Sequence, residues 1–213
     1  HTPIRRQRQM CIRDSKWEDG LQFQFLAQQN TMAALIGGKT VNSWGVIPIN
    51  PDAASRQREV KNKDGDIDEL FTNALGIRWL VIDECSTISP QLLAQLDSAL
   101  RRAAQRHPYA RTGSRGRPFG GINIVFAGDL WQLPPVRAIA LSANPYKHGV
   151  YSMAEKKIFR MFWRREEDGI QQTFELTESK RTTDAWLKAV LKADRIGAET
   201  WDCLLYTSPS PRD

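Results

Sequence analysis

The sequence predicts an α/β fold, a parallel central sheet flanked by helices, with the start of a second lobe toward the C-terminus. Three observations carry this. Trp79-Leu80-Val81-Ile82, and the stretch Gly120–Asp129 with Ile122, Ile124, Val125 and Phe126, are short apolar runs of the kind that form strands buried on both faces. Each run ends in acid at its carboxyl end, Asp83-Glu84 in the first and Gly128-Asp129 in the second. Between them, Pro90–Arg106 carries Leu92, Leu93, Leu96, Ala99, Leu100 and Ala103 at helical spacing.

At 213 residues the chain suits one α/β domain, or one plus part of another. Charged residues at 25% and apolar ones at 41% are ordinary for a globular protein. No apolar run has the length of a transmembrane helix and no signal-peptide pattern opens the chain, so a soluble, intracellular protein with no membrane partner is expected. The ends are expected to be foreign to the fold. Arg8-Gln9-Met10-Cys11-Ile12-Arg13-Asp14 can be back-translated as AGA CAG ATG TGT ATA AGA GAC, and Cys203-Leu204-Leu205-Tyr206-Thr207-Ser208 as TGT CTC TTA TAC ACA TCT. These are opposite strands of one transposon end used as a sequencing adapter; genuine flexible tails are the other reading. The expected organisation is adapter over 1–15 and 203–213, a partial first lobe over 16–168, and a segment leading into a second lobe over 169–202. Without the ends, basic residues fall from 30 to 25 and acidic ones from 24 to 22, so the net charge drops from +6 to +3. Charge is then weak support for a nucleic-acid partner. Of three cysteines only Cys85 remains, which excludes a disulfide framework.

In order, Leu21–Ala27 alternates apolar and polar residues as a strand does. A polar turn follows, with Thr31 as expected N-cap of a short helix over Met32–Ile36. Gly37-Gly38-Lys39-Thr40 tempts a phosphate-loop reading, but G-x-x-x-x-G-K-[ST] needs glycine where Ala33 stands. The residues that follow, Val41–Pro48, are β-branched and broken by Gly45 and Pro48 where a phosphate loop opens a long helix, so that reading is rejected. Asn50–Asp66 is a polar surface loop. Ile67–Leu75 has a helical apolar stripe, with Gly76 as its expected C-cap and a strand from about Arg78. Pro90 opens the long helix, and Arg101, Arg102 and Arg106 suit its last turn. His107–Pro118, with Arg111, Arg115 and Arg117, is a solvated loop or an arm on phosphates, the former favoured. After the second apolar run come Leu130-Trp131-Gln132-Leu133-Pro134-Pro135-Val136, Tyr151–Trp163 as a helix, and Arg164–Gly169 as a charged break. Thr173–Leu176 reads as a short strand and Asp184–Ile196 as a helix stopped by Gly197.

The chemistry concentrates at strand ends. Two acids at the carboxyl end of a buried strand form a Walker B arrangement, in which the first acid holds Mg²⁺ and the second orients or deprotonates an attacking water. A rigid Pro134-Pro135 turn just past the second strand places Gln132 near the same edge. An ordinary strand with an acidic end is the bland reading, and the pairing of two such ends weighs against it.

At this point the residues resemble a family. Ala33–Trp44 resembles motif Ia of the petite integration frequency (PIF) helicases of superfamily one, and Asp83-Glu84-Cys85-Ser86 resembles their motif II. Phe119–Ile122 through Gly128-Asp129-Leu130-Trp131-Gln132-Leu133-Pro134-Pro135-Val136 is similar to motif III, and Leu176–Arg181 with the helix ending Arg195-Ile196-Gly197 to motif IV. Together these cover about Phe23 to Gly197. The resemblance implies a RecA-like lobe whose first strand and phosphate loop would precede Phe23, followed by the start of a second lobe. It implies an ATP-driven motor, with Mg²⁺, moving 5′ to 3′ on single-stranded DNA and opening forks, working as a monomer. The compartment would be nucleus or mitochondrion in a eukaryote and otherwise cytoplasm, with repair, recombination, telomere maintenance or transposition as the setting. Carried over, Asp83 would bind Mg²⁺, Glu84 activate water, Gln132 sense the γ-phosphate and Arg181 act as an arginine finger. Asn30, Thr31, Thr40, Asn42 and Ser43 would face DNA phosphates, and Trp131 would stack on a base unless it is core. Asn42 stands where the family usually has His. Without a phosphate loop the 213 residues alone are expected neither to bind ATP tightly nor to hydrolyse it. Two other classes stay open: a non-catalytic nucleic-acid-binding module, and an ATPase of similar lobe acting on protein or packaging DNA.

Overall fold

The computed structural model describes residues 22–49, 67–104, 116–144, 152–164, 169–178 and 182–198. The chain divides into two compact units, His1–Ile170 and Gln171–Asp213. The adapter-like ends, the loop 50–66 and Arg181 fall outside the described residues.

The first unit holds a four-stranded sheet of β1 (Phe23–Ala27), β2 (Lys39–Thr40), β3 (Trp79–Ile82) and β4 (Asn123–Phe126). Its order is β2-β1-β3-β4 and every pairing is parallel, as expected. β4, however, is not the doubly buried strand its apolar run suggested, because among the described residues it ends the strand order and leaves Asn123 and Val125 exposed. The register sets Phe23 beside Trp79 and Trp79 beside Asn123, so all the carboxyl ends emerge along one edge.

β1 departs from the simple alternating pattern. Gln24 and Leu26 point into the protein while Phe23 and Phe25 are only part-covered. In a parallel sheet the faces are packed under crossover segments, so a polar residue within a strand can be buried. Gln24 meets the cost of burial by donating from Nε2 to the Phe25 carbonyl at 3.0 Å.

The helices account for the core. α1 (Asn30–Leu35) starts earlier than expected and Thr31 does not cap it; Gln29 is the N-cap and makes no side-chain cap bond. α2 (Val41–Trp44) is a single turn capped by Thr40, whose Oγ1 accepts from Ser43 N at 3.1 Å. The glycine-lysine stretch before it is therefore strand and cap, in keeping with the rejected phosphate-loop reading. A Cβ at Gly38 would collide with the Phe25 carbonyl, so glycine is what lets β2 approach β1.

A third helix, α3, covers 67–74 and buries Leu70. It closes with Ile77 N donating to Ala74 O at 3.2 Å rather than through a left-handed glycine, so Gly76 does not act as the expected cap. α4 (Pro90–Ala104) begins with Ser89 Oγ accepting from Leu92 N at 3.2 Å and Pro90 at its first position. Its whole predicted stripe, Leu92 through Ala103, is buried. α5 (Met153–Trp163) opens with a Ser152–Glu155 capping box and buries Ile158 and Phe159. Its Phe162 ring lies 4.8 Å from that of Phe126, and Trp163 Nε1 donates to Leu141 O at 2.8 Å.

In the second unit, α6 (Ala185–Arg195) is capped by Asp184, which accepts from Trp186 N and Leu187 N, and it ends at Gly197 with φ 63°. The expected strand over Thr173–Leu176 is not formed; Phe174 and Leu176 are exposed and no ladder reaches them among the described residues. A strand exists only with a partner, and local sequence does not supply one.

Candidate functional site

The site grows out of the three carboxyl ends of β1, β3 and β4. Beyond the last paired residues the backbone keeps zipping: Asp83 N donates to Leu26 O at 2.8 Å and Ala127 N to Ile82 O at 2.8 Å. One step on, Cys85 N donates back to Ala127 O at 3.0 Å. Asp83 and Glu84 are thus clasped between the ends of the two neighbouring strands. Glu84 has φ 49° and ψ 45°, the left-handed region, and stands at the head of a 3₁₀ turn over Cys85–Thr87. Few non-glycine residues adopt that conformation.

The turn sends Cys85 and Ser86 inward, and both are buried. Burial, then the charge of Glu84, pushes the Cys85 thiol up to about 11, with Asp83 adding in the same direction. Cys85 is therefore a neutral packing group at physiological pH, and the reactive chemistry of this corner is carboxylate chemistry. Ser86 Oγ is buried and has no hydrogen-bond partner among the described residues.

The end of β4 supplies the second half. Asp129 closes a tight turn: its Oδ1 accepts from Trp131 N at 3.1 Å and its carbonyl from Gln132 N at 3.0 Å. Gln132 is exposed one turn beyond the strand end that contacts Cys85. Pro135 is buried and pins the segment, while Trp131 is 79% exposed. Trp131 is therefore on the surface of this chain.

The entry to β4 is fixed from α4. Asp97 Oδ1 accepts from Phe119 N at 2.6 Å, and both its oxygens accept from Arg101 Nε, at 2.9 and 2.8 Å. Arg101 Nη1 also donates to Gly116 O at 2.7 Å. Sequence reasoning passed over Asp97, although an acid four residues before an arginine on a helix is a visible signal.

The residues expected to face DNA follow β1 and β2 on the same sheet edge. Asn30, Thr31 and Ser43 are exposed. Thr40 and Asn42 are half-buried: Thr40 spends its hydroxyl as the α2 cap acceptor and Asn42 Nδ2 donates to Ile47 O at 3.2 Å, so these two shape the loop. Arg181 lies outside the described residues, and the structure does not relate it to these groups.

Among the described residues no cluster of three or more His, Cys, Asp or Glu could by itself hold a metal. Mg²⁺ keeps several waters and is bound through one or two carboxylates plus substrate phosphates. A lone strand-end Asp83 with an acid beside it fits that mode. A phosphate cradle is not formed by Gly37–Thr40, which are spent on β2 and its cap.

A family model described as "PIF1-like helicase" matches residues 26–185. The ATP-dependent DNA helicase RRM3 of Saccharomyces cerevisiae is 30% identical over 177 residues, covering 83% of this chain and 21% of that protein. The ATP-dependent DNA helicase PIF1 of Homo sapiens is 30% identical over 171 residues, covering 80% of this chain and 22% of its own length. Among solved structures, the Pif1 helicase from Candida albicans superposes with a TM-score of 0.58 at 25% identity, over 94% of this chain and 38% of that one. A Bacteroides Pif1 bound to ssDNA gives 0.55 at 25% identity, over 92% and 40%. The chain spans about a fifth of the length of these curated relatives.

Proposed function

The chain belongs to the PIF1-like helicase family, and from that premise we infer that it is the part of an ATP-dependent DNA helicase that holds the hydrolytic acids. Glu84 aligns the attacking water and takes its proton as the γ-phosphoryl group leaves. Asp83 is the residue that would hold Mg²⁺, which when bound neutralises phosphate charge. Gln132 contacts the γ-phosphate, and through the Asp129 turn its position follows the end of β4. Arg181 supplies positive charge to the transition state. Asn30, Thr31, Thr40, Asn42 and Ser43 hold DNA phosphates, and Trp131 stacks on a base.

The finer parts belong to the same proposal. They are 5′ to 3′ travel on single-stranded DNA, opening of forked duplexes and work as a monomer. The setting is repair, recombination, telomere maintenance or transposition, in nucleus or mitochondrion, or in bacterial cytoplasm. The observation that supports this reading is the backbone zip that sets Asp83-Glu84 against Ala127-Gly128, with Gln132 one turn away.

The test uses a complete reading frame that carries this stretch together with a phosphate loop. Glu84→Gln is expected to abolish turnover stimulated by single-stranded DNA while ATP still binds; a near-wild-type rate refutes the base assignment. Arg181→Ala is expected to lower kcat at least about a hundredfold, and a change confined to KM does not fit a finger. If the complete protein binds single-stranded DNA but no ATP, the non-catalytic binding module is the correct reading.

A further inference from the structure

Glu84 is held in a backbone conformation that its own side chain does nothing to favour. At φ 49° and ψ 45° a residue with a Cβ is strained, and glycine or asparagine is the usual solution. Such strain persists only where the surroundings over-determine it. Here three constraints do so, and two of them come from side-chain identity rather than from the sheet.

The carbonyl of Glu84 accepts two hydrogen bonds from one residue, Thr87: from its N at 3.0 Å and from its Oγ1 at 2.8 Å. The amide would close the 3₁₀ turn with any residue at 87. The hydroxyl bond needs Ser or Thr. On the opposite side lies Gly128, whose φ is +151°. A Cβ there would come within 2.8 Å of Cys85 N, 3.1 Å of Cys85 Sγ and 3.3 Å of Glu84 C. The third constraint is the Cys85 N to Ala127 O bond at 3.0 Å, which ties the same peptide to β4.

We propose that Thr87 and Gly128 are positioning residues for Glu84: the hydroxyl pulls its carbonyl round and the missing side chain leaves room for the turn, and together they aim the carboxylate. The proposal rests on the reading of Glu84 as the hydrolytic base. It adds a coupling, because Gly128 is followed directly by the Asp129 turn that carries Gln132. Movement of the β4 end is transmitted to the peptide that presents the base through a contact with no side chain to absorb it.

The experiment compares Thr87→Val, Thr87→Ser, Gly128→Ala and Glu84→Gln in the complete ATPase reading frame. Thr87→Val keeps shape and loses the donor. It is expected to lower kcat at least about tenfold, with KM for ATP within about twofold and the thermal midpoint within a few degrees. Thr87→Ser restores the wild-type kcat. Gly128→Ala lowers kcat as well, and its melting curve separates misfolding from misplacement. Wild-type turnover in Thr87→Val, beside an inactive Glu84→Gln, overturns the positioning role while leaving the base assignment standing. So does an effect on KM alone. Turnover retained in Glu84→Gln overturns the base assignment and this proposal with it.

Discussion

Replacing Asp97 by alanine tests whether the entry to β4 is held from α4. The carboxylate accepts the Phe119 amide at 2.6 Å and Arg101 Nε at 2.8 and 2.9 Å, and both side chains are largely shielded, at 12% and 16% exposed. Hydrogen bonds to a charged group contribute roughly 1.5–3 kcal/mol each, and removing one member of a buried ion pair costs roughly 3–5 kcal/mol because the other charge is stranded. The two figures describe overlapping losses, so about 3–5 kcal/mol is expected in total. Urea unfolding of the 213-residue chain reads this as a lower midpoint at unchanged slope. Pairing the change with Arg101→Met removes the cation that faced the carboxylate and is expected to recover roughly half of the loss. A loss below about 1 kcal/mol, or a double variant no more stable than Asp97→Ala, refutes the claim that this pair anchors Phe119.

Two other changes probe the surface and the buried thiol. Trp131 is 79% exposed, so Trp131→Ala is expected to leave the urea midpoint unchanged. If the ring stacks on a base, affinity for a labelled single-stranded oligonucleotide falls by roughly 1–3 kcal/mol, about 5- to 150-fold by anisotropy; equal affinity removes Trp131 from the DNA face. For Cys85, the folded pKa of about 11 lies above the ordinary 9.0, so the fold prefers the neutral thiol. Its contribution is complete below about pH 9 and is lost as pH rises through about 11. Urea midpoints measured from pH 8 to 11.5, with Cys11 and Cys203 replaced, are expected to fall more steeply with Cys85 than with Cys85→Ala; parallel curves contradict the assignment.

What could be seen in the sequence was whatever burial alone decides. Trp79–Ile82, with Leu80 and Ile82 buried, and Leu92 through Ala103, as a helical stripe, are cases of this; Asn123–Phe126 was legible as a strand but not as an edge strand whose Asn123 and Val125 are exposed. Once strands are parallel, their ends share an edge, so the neighbourhood of Asp83, Glu84 and the Gln132 turn followed from order and spacing. What stayed hidden depends on partners distant in sequence. Gln24 faces inward, against its polarity, because strand alternation puts it on the same face as the buried Leu26. Thr173–Leu176 has strand-like residues and no strand to pair with among the described residues. Thr31 has the right chemistry for a cap, yet the helix begins one residue before it. The left-handed turn at Glu84 has no compositional mark, since it is imposed by Thr87, Ala127 and Gly128 rather than by Glu84 itself.

The two rims of the sheet are unequal, and this bears on how the chain behaves at high concentration. On one rim β2 is only two residues long, too short a row of amides to recruit a stranger. On the other, β4 is hydrogen-bonded to β3 alone among the described residues, and Val125 is 42% exposed. The sequence there, Ile-Asn-Ile-Val-Phe-Ala, has no charge and no proline to act as a gatekeeper. Among the described residues, that rim is where the sheet can accept another parallel strand, and where two copies of the chain can template onto each other.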